Sequence, residues 1–119
     1  MKASFILSSV FFFLVNVKAA PVEKRTSMSG DGTFYEVGLG SCGDTNSNSE
    51  LVAALSSSLM SSGDYCGKKI TIKSSKGSVT VKVVDTCPSC GKGDVDLSPT
   101  AFKKLGSLSE GRIDITWSI

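Results

Sequence analysis

The chain has 119 residues, of which 20% are charged, and its formal net charge is +2. That charge belongs to the N-terminus, because four of the 13 Lys and Arg residues and one of the 11 Asp and Glu residues lie in the first 25 positions, which leaves −1 from Thr26 onward. The remainder therefore lacks the basic surface that binding to nucleic acid or anionic lipid requires, and we exclude both partner classes.

The N-terminus has the features of a secretory signal peptide. Lys2 precedes an apolar run from Phe5 to Val17, and small residues follow at Ala19 and Ala20. The run is shorter than the about 20 apolar residues that a membrane span needs. We expect residues 1–19 to be a signal peptide cut after Ala19, and the protein to be secreted and without a membrane span.

A dibasic pair, Lys24–Arg25, follows the predicted signal peptide. Two interpretations stay open: residues 20–25 are a short pro-segment cut after Arg25, or they are a solvated charge cluster in a mobile tail. In either case residues 26–119 form one domain, which is long enough to bury one hydrophobic core but not a large one.

The first half of this domain contains one predicted strand and one ambiguous segment. Residues Thr33–Glu36 are predicted to be a strand that follows a polar lead-in, Ser27–Gly32. The stretch Val37–Asn48 is rich in Gly, Ser and Asn, which predicts a long loop. The apolar run Leu51–Leu55 is too short for periodicity to separate a buried strand from a helix, and Ser56–Met60 is compatible with one helical turn.

The middle of the chain predicts a β-hairpin with one buried face. Residues Lys68–Ser74 and Ser78–Asp85 alternate apolar and polar side chains, and the turn-forming sequence Ser74–Gly77 joins them. The side chains on the apolar face are Ile70, Ile72, Val79, Val81 and Val83.

The C-terminal part predicts a short helix and a last strand. Ser98 is a suitable N-cap, and Pro99 occupies the first helical position, where its missing N–H is not needed. The residues expected to face inward are Ala101, Phe102 and Leu105 of the helix and Ile113, Ile115, Trp117 and Ile119 of the strand Gly111–Ile119. Short alternating strands with one small helix and long loops indicate a small β-barrel.

The four cysteines, Cys42, Cys66, Cys87 and Cys90, all lie in this domain. An even number in a small secreted domain predicts two disulfides, but the spacing alone allows three pairings. The Cys87–Cys90 segment looks like a redox motif, yet Gly91, Lys92 and Gly93 follow it rather than the helix that lowers a thiol pKa, so we expect a structural bond. A zinc site on the cysteines is disfavoured by secretion. Histidine is absent, which excludes Ser-His and Cys-His catalysis and His-ligated metals. We expect no metal and no cofactor.

Several short motifs resemble one known family in their order and spacing. They are Gly32–Tyr35, Gly38–Gly43, Tyr65–Lys68, Val84–Cys87, Asp94–Phe102 and Gly111–Trp117. Together they are similar to the double-psi β-barrel domain of expansins, barwin-like proteins and rare-lipoprotein-A-like proteins, and most similar to small secreted fungal members. The resemblance implies an all-β fold, a six-stranded double-psi β-barrel with one or two short helices and an open groove. It also implies the disulfide Cys42–Cys66, which leaves Cys87–Cys90.

The resemblance also implies candidate site residues. Asp96 matches an aspartate that expansins need for wall loosening, and Asp85 matches a second acid of the groove; we take both as candidate catalytic and glycan-binding residues. For Asp96 a structural role, capping the following helix or accepting loop N–H groups, stays open. Further candidate glycan-binding residues are Thr33, Tyr35 and Tyr65. Phe102 and Trp117 are expected in the core, and Asp94 in a solvated loop.

Three functions follow from these observations. The first is a monomeric, non-hydrolytic protein that binds cell-wall polysaccharide in an acidic groove. The second is a protein-binding scaffold, such as a cysteine-protease inhibitor or a secreted host-directed effector, that uses the loops Val37–Asn48 and Cys87–Asp94. The third is a weak glycoside-cleaving enzyme that uses Asp96 with Asp85 or Glu36. The rare-lipoprotein-A-like transglycosylases use a histidine that this chain lacks, so we favour a protein that is not an enzyme.

Overall fold

The computed structural model describes residues 27–119, so the predicted signal peptide (1–19) and pro-segment (20–25) lie outside the described residues. The described chain forms six strands, two short α-helices and one 3₁₀ turn. They are β1 (Ser27–Phe34), β2 (Val52–Ser56), α1 (Ser57–Ser62), β3 (Lys69–Lys73), β4 (Ser78–Cys87), β5 (Val95–Leu97), α2 (Pro99–Lys103), the 3₁₀ turn (Leu108–Glu110) and β6 (Ile113–Ser118).

The six strands close into a barrel in the order β1-β5-β2-β4-β3-β6. The pairs β1–β5 and β2–β4 are parallel, and the other four pairs are antiparallel. The six-stranded, disulfide-linked β-barrel that the resemblance implied is therefore confirmed. Within residues 27–119 no helix is long and apolar enough to cross a membrane.

The barrel interior is filled by the inward-facing side chains of the strands, closed by residues of α1 and α2. The largest fully buried apolar side chains are Phe102, Leu55, Ile70, Ile72, Leu97 and Leu105. Trp117 is also buried, and its Nε1 donates a hydrogen bond to the Gly93 carbonyl oxygen at 2.8 Å. The expectation that Phe102 and Trp117 belong to the core is confirmed.

The predicted position of the first strand was wrong at both ends. Strand β1 begins at Ser27, in the segment expected to be a polar lead-in, and ends at Phe34. Gly30 and Gly32 have low strand propensity, so the sequence pattern did not predict a strand here, but a close backbone contact requires glycine at position 30. A Cβ on Gly30 would lie 2.4 Å from the Gly93 carbonyl oxygen, because the loop before β5 crosses β1 there.

The hairpin and the second helix agree with the sequence pattern. Strands β3 and β4 pair antiparallel, and the expected inward side chains are buried. The Ser98 hydroxyl oxygen accepts from the backbone N–H of Ala101, and Pro99 starts α2. The ambiguous run Leu51–Leu55 is mostly strand β2. Ile119 was expected to face inward, but it follows the end of β6 and is 40% exposed.

Two disulfides join Cys42 to Cys66 and Cys87 to Cys90, the pairing that the resemblance implied. The first spans 24 residues and connects the long loop after β1 to the segment before β3. The second spans three residues at the end of β4.

We expect the two disulfides to differ in their contribution to stability. Replacing Cys42 and Cys66 by alanine should lower the free energy of unfolding by roughly 3 kcal/mol, because a disulfide that closes a longer loop removes more conformational entropy from the unfolded chain. Replacing Cys87 and Cys90 should lower it by about 2 kcal/mol. Denaturant unfolding of the two double variants measures both values, and a larger loss for the Cys87–Cys90 variant would contradict the ranking.

Candidate functional site

Four residues lie side by side across the barrel wall. Thr33 on β1 pairs with Asp96 on β5. Asp96 also pairs with Ala54 on β2, and Ala54 pairs with Asp85 on β4. Because neighbouring strands are about 4.8 Å apart, the Cα atoms of the two aspartates lie about 10 Å apart. We call these four residues the acidic row.

Asp85 reaches this row because of an irregularity in the parallel pair β2–β4. Strict alternation would place Asp85 on the same face as Val81 and Val83, which point into the core. The register shifts by one residue between Ala53 and Ala54, so that Ala54 pairs with Asp85. Ala54 lies outside the core cluster, and the shift therefore brings the carboxylate to the outer side of the wall.

Asp96 is partly buried and is held by its neighbour on β1. Its Oδ1 accepts a hydrogen bond from Thr33 Oγ1 at 2.8 Å. Burial raises the pKa of Asp96, the Thr33 hydrogen bond and the charge of Arg112 lower it, and the charge of Asp85 raises it; the net direction is upward. Asp96 is thus easier to protonate than an ordinary aspartate.

Asp85 is held by backbone groups instead. Its Oδ1 accepts from the N–H of Ser41 at 2.9 Å and from the N–H of Thr86 at 2.7 Å. The hydroxyl oxygens of Ser41 and Thr86 are also hydrogen-bonded, at 2.7 Å. Ser41 belongs to the loop Val37–Asn48, which we call the Cys42 loop, so this loop forms one border of the acidic row.

Tyr35 lies next to both aspartates. Burial, followed by the charges of Asp85 and Asp96, raises the pKa of Tyr35 to about 12. The hydroxyl therefore stays protonated at physiological pH. Its oxygen is buried, and no group within residues 27–119 forms a hydrogen bond with it. A buried hydroxyl without a partner is unfavourable, so this oxygen carries an uncompensated desolvation cost beside the two aspartates.

Two residues near the row were not identified as site residues from the sequence. Arg112 lies close enough to influence Asp96, and its Nη1 forms an ion pair of 2.8 Å with Asp31 Oδ2. The only signal for Arg112 was its place in the last family motif. The expectation that Asp94 is solvated was wrong, because its two carboxylate oxygens accept from the N–H groups of Asp31 and Gly91, both at 2.9 Å.

Two other predicted residues, Tyr65 and Glu36, make their contacts with residues outside the row. Tyr65 packs against the edge of the core cluster, beside Gly63. Glu36 is exposed, and its Oε1 accepts from Asn48 Nδ2 at 3.1 Å. In the part of the chain that the structure describes, no group of three or more His, Cys, Asp or Glu side chains is arranged to hold a metal ion. The structure thus brings Thr33, Tyr35, Asp85 and Asp96 together.

Comparison with known proteins agrees with the barrel fold. A double-psi β-barrel family model, described as lytic transglycolase, matches residues 27–117. The chain belongs to this double-psi β-barrel family. Within the family it is similar to expansin-like protein 3 of Dictyostelium discoideum, with 36% identity over 92% of this chain and 36% of that relative. The family assignment made from the sequence motifs is confirmed.

Two solved double-psi β-barrels are similar in structure. A mutant expansin of Clavibacter michiganensis in complex with cellohexaose is 29% identical, has a TM-score of 0.72, and is matched over 79% of this chain and 50% of that one. The Streptomyces papain inhibitor is 30% identical, has a TM-score of 0.70, and is matched over 77% of this chain and 92% of that one. The matched region thus covers half or less of the length of the two expansin-type relatives but nearly all of the length of the inhibitor.

The raised pKa of Asp96 predicts a pH-dependent stability difference between the wild-type protein and Asp96→Asn. Because the folded state binds the Asp96 proton more tightly than the unfolded chain does, ionisation of Asp96 destabilises the fold as the pH rises through and above about 4. Relative to D96N, the wild-type Tm should therefore fall by roughly 1–4 °C between pH 3 and pH 7. Thermal unfolding across this range measures it.

The matched control is Asp114→Asn, the same change at an exposed position of β6. A wild-type Tm that, relative to that of D96N, stays constant or rises between pH 3 and pH 7 would contradict the burial argument.

Proposed function

We propose that this protein is a secreted, expansin-like barrel that binds a cell-wall polysaccharide across the acidic row without cleaving it. The observation that carries the proposal is the pairing of Asp96 and Asp85 with the same residue, Ala54, with Tyr35 close to both. Two carboxylates at this spacing can engage hydroxyls of neighbouring sugar units.

The hydrogen bonds that position the aspartates leave acceptors free for sugar hydroxyls. Among the described residues, Thr33 bonds only to Oδ1 of Asp96, and the two backbone N–H groups bond only to Oδ1 of Asp85. Each Oδ2 can therefore accept from a ligand, and the hydroxyl that accepts within the exposed Ser41–Thr86 pair keeps its own proton for donation. The site thus offers both acceptors and a donor, which polyhydroxylated ligands require.

The polysaccharide class is supported by the structural relative that holds cellohexaose. The non-hydrolytic part is supported by the chain itself. Glycoside hydrolysis in its usual form takes two carboxyl groups on either side of the bond. Glu36, one candidate second carboxylate, is exposed and bonded to Asn48. The histidine used by the transglycosylases that the chain resembles is absent.

A pull-down on cellulose, chitin and peptidoglycan tests binding. Wild-type protein should be retained on at least one of them, and Asp96→Asn should weaken retention about tenfold, which corresponds to about 1.4 kcal/mol, the size of one hydrogen bond to a charged group. Asp114→Asn, which changes an exposed aspartate of β6, is the matched control and should bind as wild type does.

Two results would overturn the proposal. One is no retention on any of the three polymers; the other is equal retention of D96N, D114N and wild type. An assay of reducing ends on the retained polymer tests the non-hydrolytic part, and we expect no release above that of buffer. Release that disappears in D96N would instead favour the glycoside-cleaving function.

Inhibition of a cysteine protease is the second candidate function. The observation that favours it is the match to the papain inhibitor over 92% of its length. In this function the barrel is a rigid scaffold, and the loops Val37–Asn48 and Cys87–Asp94 contact the protease. Each of these loops holds one end or both ends of a disulfide, which limits its freedom before binding.

A papain inhibition assay separates the two functions. An inhibition constant of about 1 μM or tighter, which corresponds to about 8 kcal/mol of binding free energy, would support the inhibitor. Retention on a polysaccharide without inhibition of papain would count against it.

A further inference from the structure

One apolar side chain of the Cys42 loop is unusually exposed. Leu39 is 75% exposed, whereas the other large apolar residues on the surface of the described chain, Phe34, Leu51 and Ile119, are between 36% and 40% exposed. A leucine in this position contributes little burial to the isolated domain. A single exposed leucine is common on protein surfaces, so the argument depends on how this one is held.

The backbone on both sides of Leu39 is fixed by a second segment of the same loop. The Asn46 N–H donates to the Gly38 carbonyl oxygen at 3.1 Å, and the Gly40 N–H donates to the Asp44 carbonyl oxygen at 3.0 Å. Leu39 itself forms an isolated antiparallel bridge with Thr45. The tip of the loop is thus a short, extended, hydrogen-bonded segment.

The base of the loop is fastened to the barrel. The Cys42 N–H donates to the Val84 carbonyl oxygen at 3.2 Å, and the disulfide joins Cys42 to Cys66. Gly40 packs so closely on β4 that a Cβ there would lie 2.2 Å from the Val84 carbonyl oxygen. A loop held in this way loses little conformational entropy on binding, which favours affinity.

The tip also leaves room for a partner to approach. A Cβ on Gly38 would meet no atom within 4 Å, so the backbone beside Leu39 is open. The other loop, Cys87–Asp94, exposes Pro88, Ser89 and Lys92 and has no large apolar side chain on its surface. Of the two loops, the Cys42 loop is therefore the one that carries an apolar anchor.

We propose that the segment Gly38–Gly40 inserts into an apolar pocket of a papain-class cysteine protease, with Leu39 as the anchoring side chain. This inference rests on the inhibitor function proposed above. It narrows the proposed protease-binding surface from two loops to one side chain, Leu39. The partner class comes from the papain inhibitor of matching length. The backbone around Leu39 is fixed and extended, so it presents one side chain in the way that a bound peptide does. This geometry supports insertion of Leu39 into a pocket as the form of the contact.

The experiment compares the inhibition of papain by wild type, Leu39→Ala and Leu39→Met. The alanine variant should raise the inhibition constant at least tenfold, because truncating a buried anchor removes a large part of the binding free energy. The methionine variant keeps an apolar side chain of similar volume and should stay within about threefold of wild type.

Ile119→Ala removes another exposed apolar side chain, far along the chain from the loop, and is the matched control; it should inhibit as wild type does. The three variants should have the same Tm as wild type. An unchanged Tm would show that a loss of inhibition is not caused by a loss of folded structure. If wild type inhibits papain and L39A inhibits equally well, the Leu39 inference is overturned while the inhibitor function stands. If wild type does not inhibit papain, both are overturned.

Discussion

The register of the two parallel strand pairs determines where the candidate site lies. The pair β1–β5 places Thr33 beside Asp96, and the pair β2–β4 places Asp85 beside Ala54. Since side chains alternate along a strand, a slip of one residue in either pair would turn an aspartate toward the apolar core. Burying an unpaired carboxylate there would be very unfavourable. The fold and the acidic row therefore depend on the same pairings.

The two aspartates are held by different means, and this gives them different properties. Backbone N–H groups of Ser41 and Thr86 fix Asp85, whereas a hydroxyl and partial burial define the surroundings of Asp96. Ser41 also belongs to the Cys42 loop, two residues after Leu39. The surface proposed to bind glycan and the surface proposed to bind a protease thus meet at Ser41, and a large ligand on one would restrict access to the other.

Much of the fold could be predicted from alternation and capping, because these reflect local geometry. The hairpin and α2 follow directly from the sequence. Three features do not. Gly30 is needed in β1 because the loop before β5 crosses it, Asp85 faces outward because of a register shift, and Asp94 joins the loop before β5 to Asp31 of β1, 63 residues away in sequence. Each of these depends on contacts between distant segments, which periodicity cannot reveal.

Closure of the barrel also brings the two ends of the described chain together. Ser27, at the start of β1, pairs with Ser118, at the end of β6. The exposed turn between β3 and β4, residues 74–77, is separate from this pair of ends. A circularly permuted protein, joined between these two serines by a short linker and opened at that turn, could therefore retain every strand pairing of the barrel. Its site residues would keep their places although their order along the polypeptide had changed.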